Sequence, residues 1–180
     1  MKLSEADSRL FYKLFFPLLD FANQKFKVNE LKKLTGAKSL NPAKVKEIAN
    51  AVWENPSCID EYVEKNETSL NDEEKQILLS WKKSISGRFV LERHLKKGSV
   101  FIGEHNDVYL VKGIISSFEE MFWFQKPPIA MDITILPFKD CMITDGLNLP
   151  LNITFGGGIK SILKNAYMDA KKEERIITQL

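Results

Sequence analysis

The sequence predicts an α+β fold: a helical N-terminal half, a small antiparallel and partly closed β-sheet or barrel, and a C-terminal helix. Three observations carry that prediction. Apolar residues recur at helical spacing up to about Gly87. Beyond Gly87 they alternate with polar ones, and Gly, Pro and Asp-Gly signals cut the chain into short runs. From Ile159 the helical spacing returns.

The first helix begins at Ser4, a good N-cap, with Asp7 in the capping-box position. Leu10, Leu14, Leu18 and Phe21 then share a face that Phe11 and Phe15 widen. Pro17 removes a backbone donor, so a kink or break is expected there. Asn29 is placed to cap a short helix ending at Gly36. Asn41-Pro42 opens a helix with Val45, Ile48, Ala49 and Val52 on one side. Asn55-Pro56 restarts the chain before a third helix, and Asn71 caps a fourth with Ile77, Leu78, Trp81 and Ile85 on one face.

In the second half, "RFVLERHL" alternates, "SVFI" and "DVYLVKGII" form a hairpin through "GEHN", and "SSFEEMFWF" fits a strand or a helical turn. "IAMDITILPF", "DCMIT" and "LNITF" complete about six short strands. The last helix is predicted to face inward through Ile159, Ile162, Leu163, Ala166 and Tyr167. Two lobes follow, 1–87 and 88–180, able to form one compact unit.

Composition narrows the function. The chain has 180 residues, 44% of them hydrophobic, enough for a core without metal or disulfide staples. Its net charge is +2, from 26 basic and 24 acidic residues, which gives no global drive toward nucleic acid or membrane. Cys58 and Cys141 lie far apart and only His94 and His105 accompany them, so no zinc spacing is formed and no cofactor or metal is implied. The start, "MKLSEADSRLFYKLFF", is interrupted by acids and does not suit a signal peptide. A cytoplasmic, non-membrane location is expected.

The stretch from Leu136 to Lys172 carries Leu136-Pro137-Phe138, then Asp145-Gly146-Leu147, then Phe155-Gly156 before a helical pattern. In this run, and so over about the last fifty residues, the chain resembles the C-terminal part of a group of uncharacterised bacterial proteins, mostly from Firmicutes. Weaker similarity extends back to Gly98. The resemblance brings no catalytic residue with it, because no activity is established for that group.

Four places invite a functional reading. Gly156, Gly157 and Gly158 follow a strand and precede a helix whose first turn holds Lys160 and Ser161, the outline of a phosphate cradle. Neither the P-loop nor the GxGxxG spacing is met, so a structural turn with positive φ and close helix packing is the simpler expectation. Cys141 with Asp140, Asp145 and a histidine would make a nucleophilic set. The acid beside Cys141 disfavours its thiolate, and the strand pattern buries it. The carboxylates Glu104, Asp107, Glu119, Glu120, Asp132 and Asp140 match no metal spacing. Lys25, Lys27, Lys32, Lys33, Lys38, Lys44 and Lys46 surround the Gly36 turn with Glu30 the single acid, the outline of a basic helix-turn-helix using Lys32, Lys33, Lys38, Lys44 and Lys46.

Last, Met121, Phe122, Trp123 and Phe124 are consecutive and cannot all point inward. Phe122, Trp123 and Phe124 are therefore expected to meet the helical half, a ligand or a partner. No acid, base and nucleophile converge in the sequence, so catalytic residues are not assigned. A binding protein is expected, with a homodimer or another protein as partner. Nucleic-acid binding and recognition of a phosphorylated small molecule are the alternatives.

Overall fold

The computed structural model describes residues 1–36 and 39–180. The fold is α+β, with helices at both ends of a mixed sheet. The chain divides into two compact units, Ser4–Ser84 and Met1–Leu3 with Ile85–Leu180. The division falls just before Ile85, where β-structure begins, and the first three residues belong with the sheet.

The helical unit holds α1 (Glu5–Phe26), α2 (Pro42–Glu54), α3 (Ser57–Lys65), α4 (Asp72–Ser80) and a 3-10 turn (Trp81–Lys83). Ser4 caps α1 by accepting from the Asp7 amide. Helix α1 runs through Pro17 unbroken, because Leu14, Phe15, Leu18 and Leu19 around it are fully packed and hold the turn. Phe11 stacks on Phe15 at 4.9 Å between ring centres, and Trp53 and Trp81 close the cluster. The Asn41, Pro42 and Asn71 signals act as expected, and Asn71 and Glu74 form a capping box.

No helix forms at Asn29 to Gly36. The Asn29 side chain accepts from the Leu31 amide and donates to Lys44 O and Glu47, so it ties the segment to α2 instead of capping a helix. Asp20 on α1 accepts from the Leu34 amide at 2.6 Å and from the Thr35 amide at 3.1 Å. These bonds satisfy backbone donors that a helix would otherwise use. The fourth helix also ends early, and Ile85 lies in a strand.

The sheet unit contains β1 (Ile85–Leu95), β2 (Gly98–Ile102), β3 (Val108–Val111), α5 (Phe118–Met121), β4 (Ile129–Phe138), β5 (Cys141–Thr144), β6 (Leu149–Pro150) and α6 (Gly157–Lys172). The first half of β1 pairs with β4 and its second half with β2. A bulge between Leu91 and Arg93 accompanies the change of partner. With β2–β3, β4–β5 and a parallel β3–β5 bridge at Val111 and Met142, five strands close a ring. The predicted sheet was antiparallel throughout. The parallel bridge makes it mixed, because α5 and its flanking loops carry the chain across between β3 and β4.

Phe89, Leu91, Phe101, Tyr109, Val111, Ile129, Met131 and Ile133 fill one core, and Phe118 and Phe122 from the α5 segment pack into it. On the opposite face of β2 and β3, Val100, Ile102 and Val108 form a second core with Leu163, Tyr167 and Ala170 of α6. The Arg93 guanidinium lies 4.0 Å from the Tyr167 ring centre. Gly113 sits where a Cβ would come within 1.9 Å of Ser116 O, so only glycine fits there. The expected "LNITF" strand, residues 151–155, does not form, and the two residues before it, Leu149 and Pro150, pair with β4 as β6.

Candidate functional site

The aromatic run sorts itself by packing. Ser117 and Glu120 form a capping box around α5, which fixes the direction of the following residues. Phe118 and Phe122, four apart, therefore share one face and enter the core. Trp123 and Phe124 leave on the other side, 82% and 67% exposed. Their rings touch edge to face at 6.1 Å, with planes at 86°. The expectation that all three aromatics form a surface is corrected for Phe122, which is 8% exposed.

The edge strand β6 also carries exposed apolar side chains. Met131 pairs with Pro150 and Asp132 with Leu149, and the Leu151 amide donates to Ala130 O. The ladder ends there, since the Ile153 amide turns back to donate to Leu151 O at 2.8 Å. Leu149 and Ile153 are both exposed. Among the described residues ten large hydrophobic side chains are exposed, and of these only Leu79 belongs to the helical unit. Sequence reasoning missed the exposure of Ile153, because it placed "LNITF" inside the sheet. Pro150 was the available signal for an edge.

The glycines behave differently from expectation. Gly156 is the N-cap of α6 in an extended conformation, and none of the three glycines has positive φ. Nothing lies within 4 Å of a Cβ placed on any of them, so they do not serve close packing. The Ser161 hydroxyl donates back to Gly157 O at 3.1 Å, and Lys160 is exposed.

The lysine patch is dispersed. Lys32 and Lys33 are exposed on a non-helical segment, Lys44 pairs with Glu30, and Lys46 is buried. Lys38 lies outside the described residues. The two-helix outline on which a recognition helix depended is therefore not formed, since α2 has no helical partner between Lys27 and Gly36.

The reactive side chains stay apart. Cys141 is buried, and its Sγ donates to Phe138 O. His94 bonds to Ser99 at 2.9 Å, and burial holds its pKa below the usual histidine value. His105 lines a separate cleft with Asn165, Asp169 and Arg175. Among the described residues no cluster of three His, Cys, Asp or Glu side chains is placed to hold a metal ion. No helix among them is long and apolar enough to cross a membrane. Comparisons of the chain with protein-family models, curated proteins and solved structures find no match in any of the three.

Proposed function

We propose that this chain works by binding, as a cytoplasmic protein of bacterial origin. Its contact surface is centred on Trp123 and Phe124, and its partner is a second copy of the same chain. The observation that carries this reading is the 82% exposure of Trp123 beside a second exposed ring. Tryptophan is enriched among residues that dominate interface energies, and two adjacent rings held by a buried neighbour are already oriented.

The identity of the partner rests on self-complementarity. Glu119 precedes the aromatic pair and Lys126 follows it, and both are exposed. In a two-fold arrangement the acidic flank of one copy meets the basic flank of the other. Two aromatic side chains supply about 300 Å². A stable interface needs roughly 800 Å² from each partner, so the residues flanking the pair contribute the remainder. Pro150 lacks an N–H on the outer strand, so the copies meet through side chains and not by joining sheets.

Nucleic-acid binding gains less support. Five-stranded Greek-key rings of the OB type take oligonucleotides on the outer face of their second and third strands. Here β2 and β3 turn Val100, Ile102 and Val108 toward α6, which covers them. The flanks of Trp123 carry both signs of charge, whereas a single-strand groove is uniformly basic. Phosphate recognition at Gly156 to Ser161 has only the open helix terminus behind it.

Sedimentation over a wide concentration range tests the proposal. The wild type is expected to associate as concentration rises, and a Trp123→Ala, Phe124→Ala double variant to remain monomeric. A wild type that stays monomeric throughout would remove self-association from the account.

A further inference from the structure

The outer edge of β3 is shared by three segments that are distant in sequence. The Leu110 amide donates to Ile177 O at 2.9 Å, and the Ile177 amide to Val108 O at 2.8 Å. The Lys112 amide donates to Met142 O at 2.9 Å, and the Leu3 amide to Gly113 O at 2.9 Å. Where these segments meet, a cleft of about 200 Å³ opens, lined by Met1, Lys97, Leu110, Lys112, Asp140, Cys141 and Thr178.

Its chemistry is uneven. Leu110, Met1 and Cys141 give an apolar wall. Lys97 follows β1, Lys112 follows β3, and the Ser99–Val111 pairing brings both to the same end of the ladder. Neither ammonium is ion-paired among the described residues, and neither is the Asp140 carboxylate. The two lysine ammoniums and the Met1 α-ammonium offer cations, Asp140 offers a carboxylate, and with the apolar wall they complement a zwitterion with an apolar side chain. An apolar cavity of about 150 Å³ already accommodates benzene, so the available space suits one side chain and its charged head.

We propose that this cleft binds a single free apolar α-amino acid. Lys97 and Lys112 take the carboxylate, Asp140 takes the ammonium, and Leu110 with Met1 and Cys141 covers the side chain. Because Met1 and Thr178 form part of the wall, an occupied cleft ties both chain-end segments to β3. Binding then slows hydrogen exchange at the Leu110 and Ile177 amides. The site is independent of the Trp123 surface and does not rely on it.

Calorimetric titration tests this with L-leucine and L-phenylalanine, against L-leucinamide, which lacks the carboxylate, and N-acetyl-L-leucine, which lacks the ammonium. The free amino acids are expected to bind, and each blocked form to lose about tenfold or more in affinity. Lys112→Gln and Asp140→Asn are each expected to lose binding, and Lys97→Gln, at an exposed position, repeats the test with little risk to folding. The proposal is overturned if no free amino acid binds, if the blocked forms bind equally well, or if the Leu110 and Ile177 amides exchange no more slowly with ligand present.

Discussion

Phe122 and Trp123 are adjacent in sequence and opposite in environment. The first is anchored among Phe118 and the ring core, and the second projects into solvent. Their substitutions should separate cleanly. Phe122→Ala is expected to cost about 3–5 kcal/mol, the usual range for a large aromatic removed from a core. Trp123→Ala is expected to change stability by no more than about 0.5 kcal/mol, as surface changes do. Chemical denaturation of the two variants checks both values, and equal losses would mean that Trp123 is packed within its own chain. The sequence showed that four consecutive apolar residues could not all be inside. It did not show which would emerge, because that depends on the capping box that sets the phase of α5.

At the scale of elements, local signals were reliable where the backbone could obey them without outside help. Asn41-Pro42 and Asn71 start helices as their chemistry dictates. Asn29 has the same chemistry, yet Asp20 and Asn23 on α1 offer the segment competing partners, and no helix forms. Such partners are invisible in a local window. Helix α6 shows a similar limit. Its apolar stripe is wider than the face of β2 and β3 can cover, so Leu163 and Tyr167 are buried whereas Ile159 and Ile162 remain exposed. Tyr167→Ala is therefore expected to cost about 3 kcal/mol, and Ile162→Gln about 0.5 kcal/mol or less, by thermal denaturation.

A pH effect belongs to the α1–α4 pair. Glu74 is buried and pairs with Lys13 while closing the capping box with Asn71. The Lys13 hydrogen bond, opposed by burial and aided by the Asn71 amide, holds its pKa below the usual glutamate range. A lowered folded-state pKa gives stability that is present above the unfolded value, and that stability is lost as pH falls through the folded value. Stability should therefore decline on acidification below the ordinary glutamate range. Glu74→Gln should flatten that decline and cost about 1 kcal/mol at neutral pH. An unchanged acid limb would show that the pair contributes nothing.

For the whole molecule, the sheet unit is a ring whose weakest seam is the single parallel bridge between β3 and β5. Period-two alternation made the strands legible, and hairpin turns made their antiparallel pairs legible. Nothing local encodes a parallel contact between β3 and β5, or the use of Ile177 and Leu3 to complete the β3 edge. Removing Ile177–Leu180 would break two backbone hydrogen bonds and withdraw two side chains packed on the ring core. A loss of about 3 kcal/mol is expected in thermal unfolding. No change would mean that this segment is not part of the ring.

The candidate surface was only partly legible for the same reason. Its aromatic centre stood out in the sequence, but that Trp123 and Phe124 and not Phe122 would emerge did not. Tryptophan fluorescence tests the central claim most directly. Of the three tryptophans, Trp53 and Trp81 are buried and Trp123 is exposed. If a second copy covers Trp123, the fraction of emission quenched by iodide will fall, and the spectrum will shift to the blue, as protein concentration rises. Emission that stays equally quenchable from dilute to concentrated solution would contradict the account.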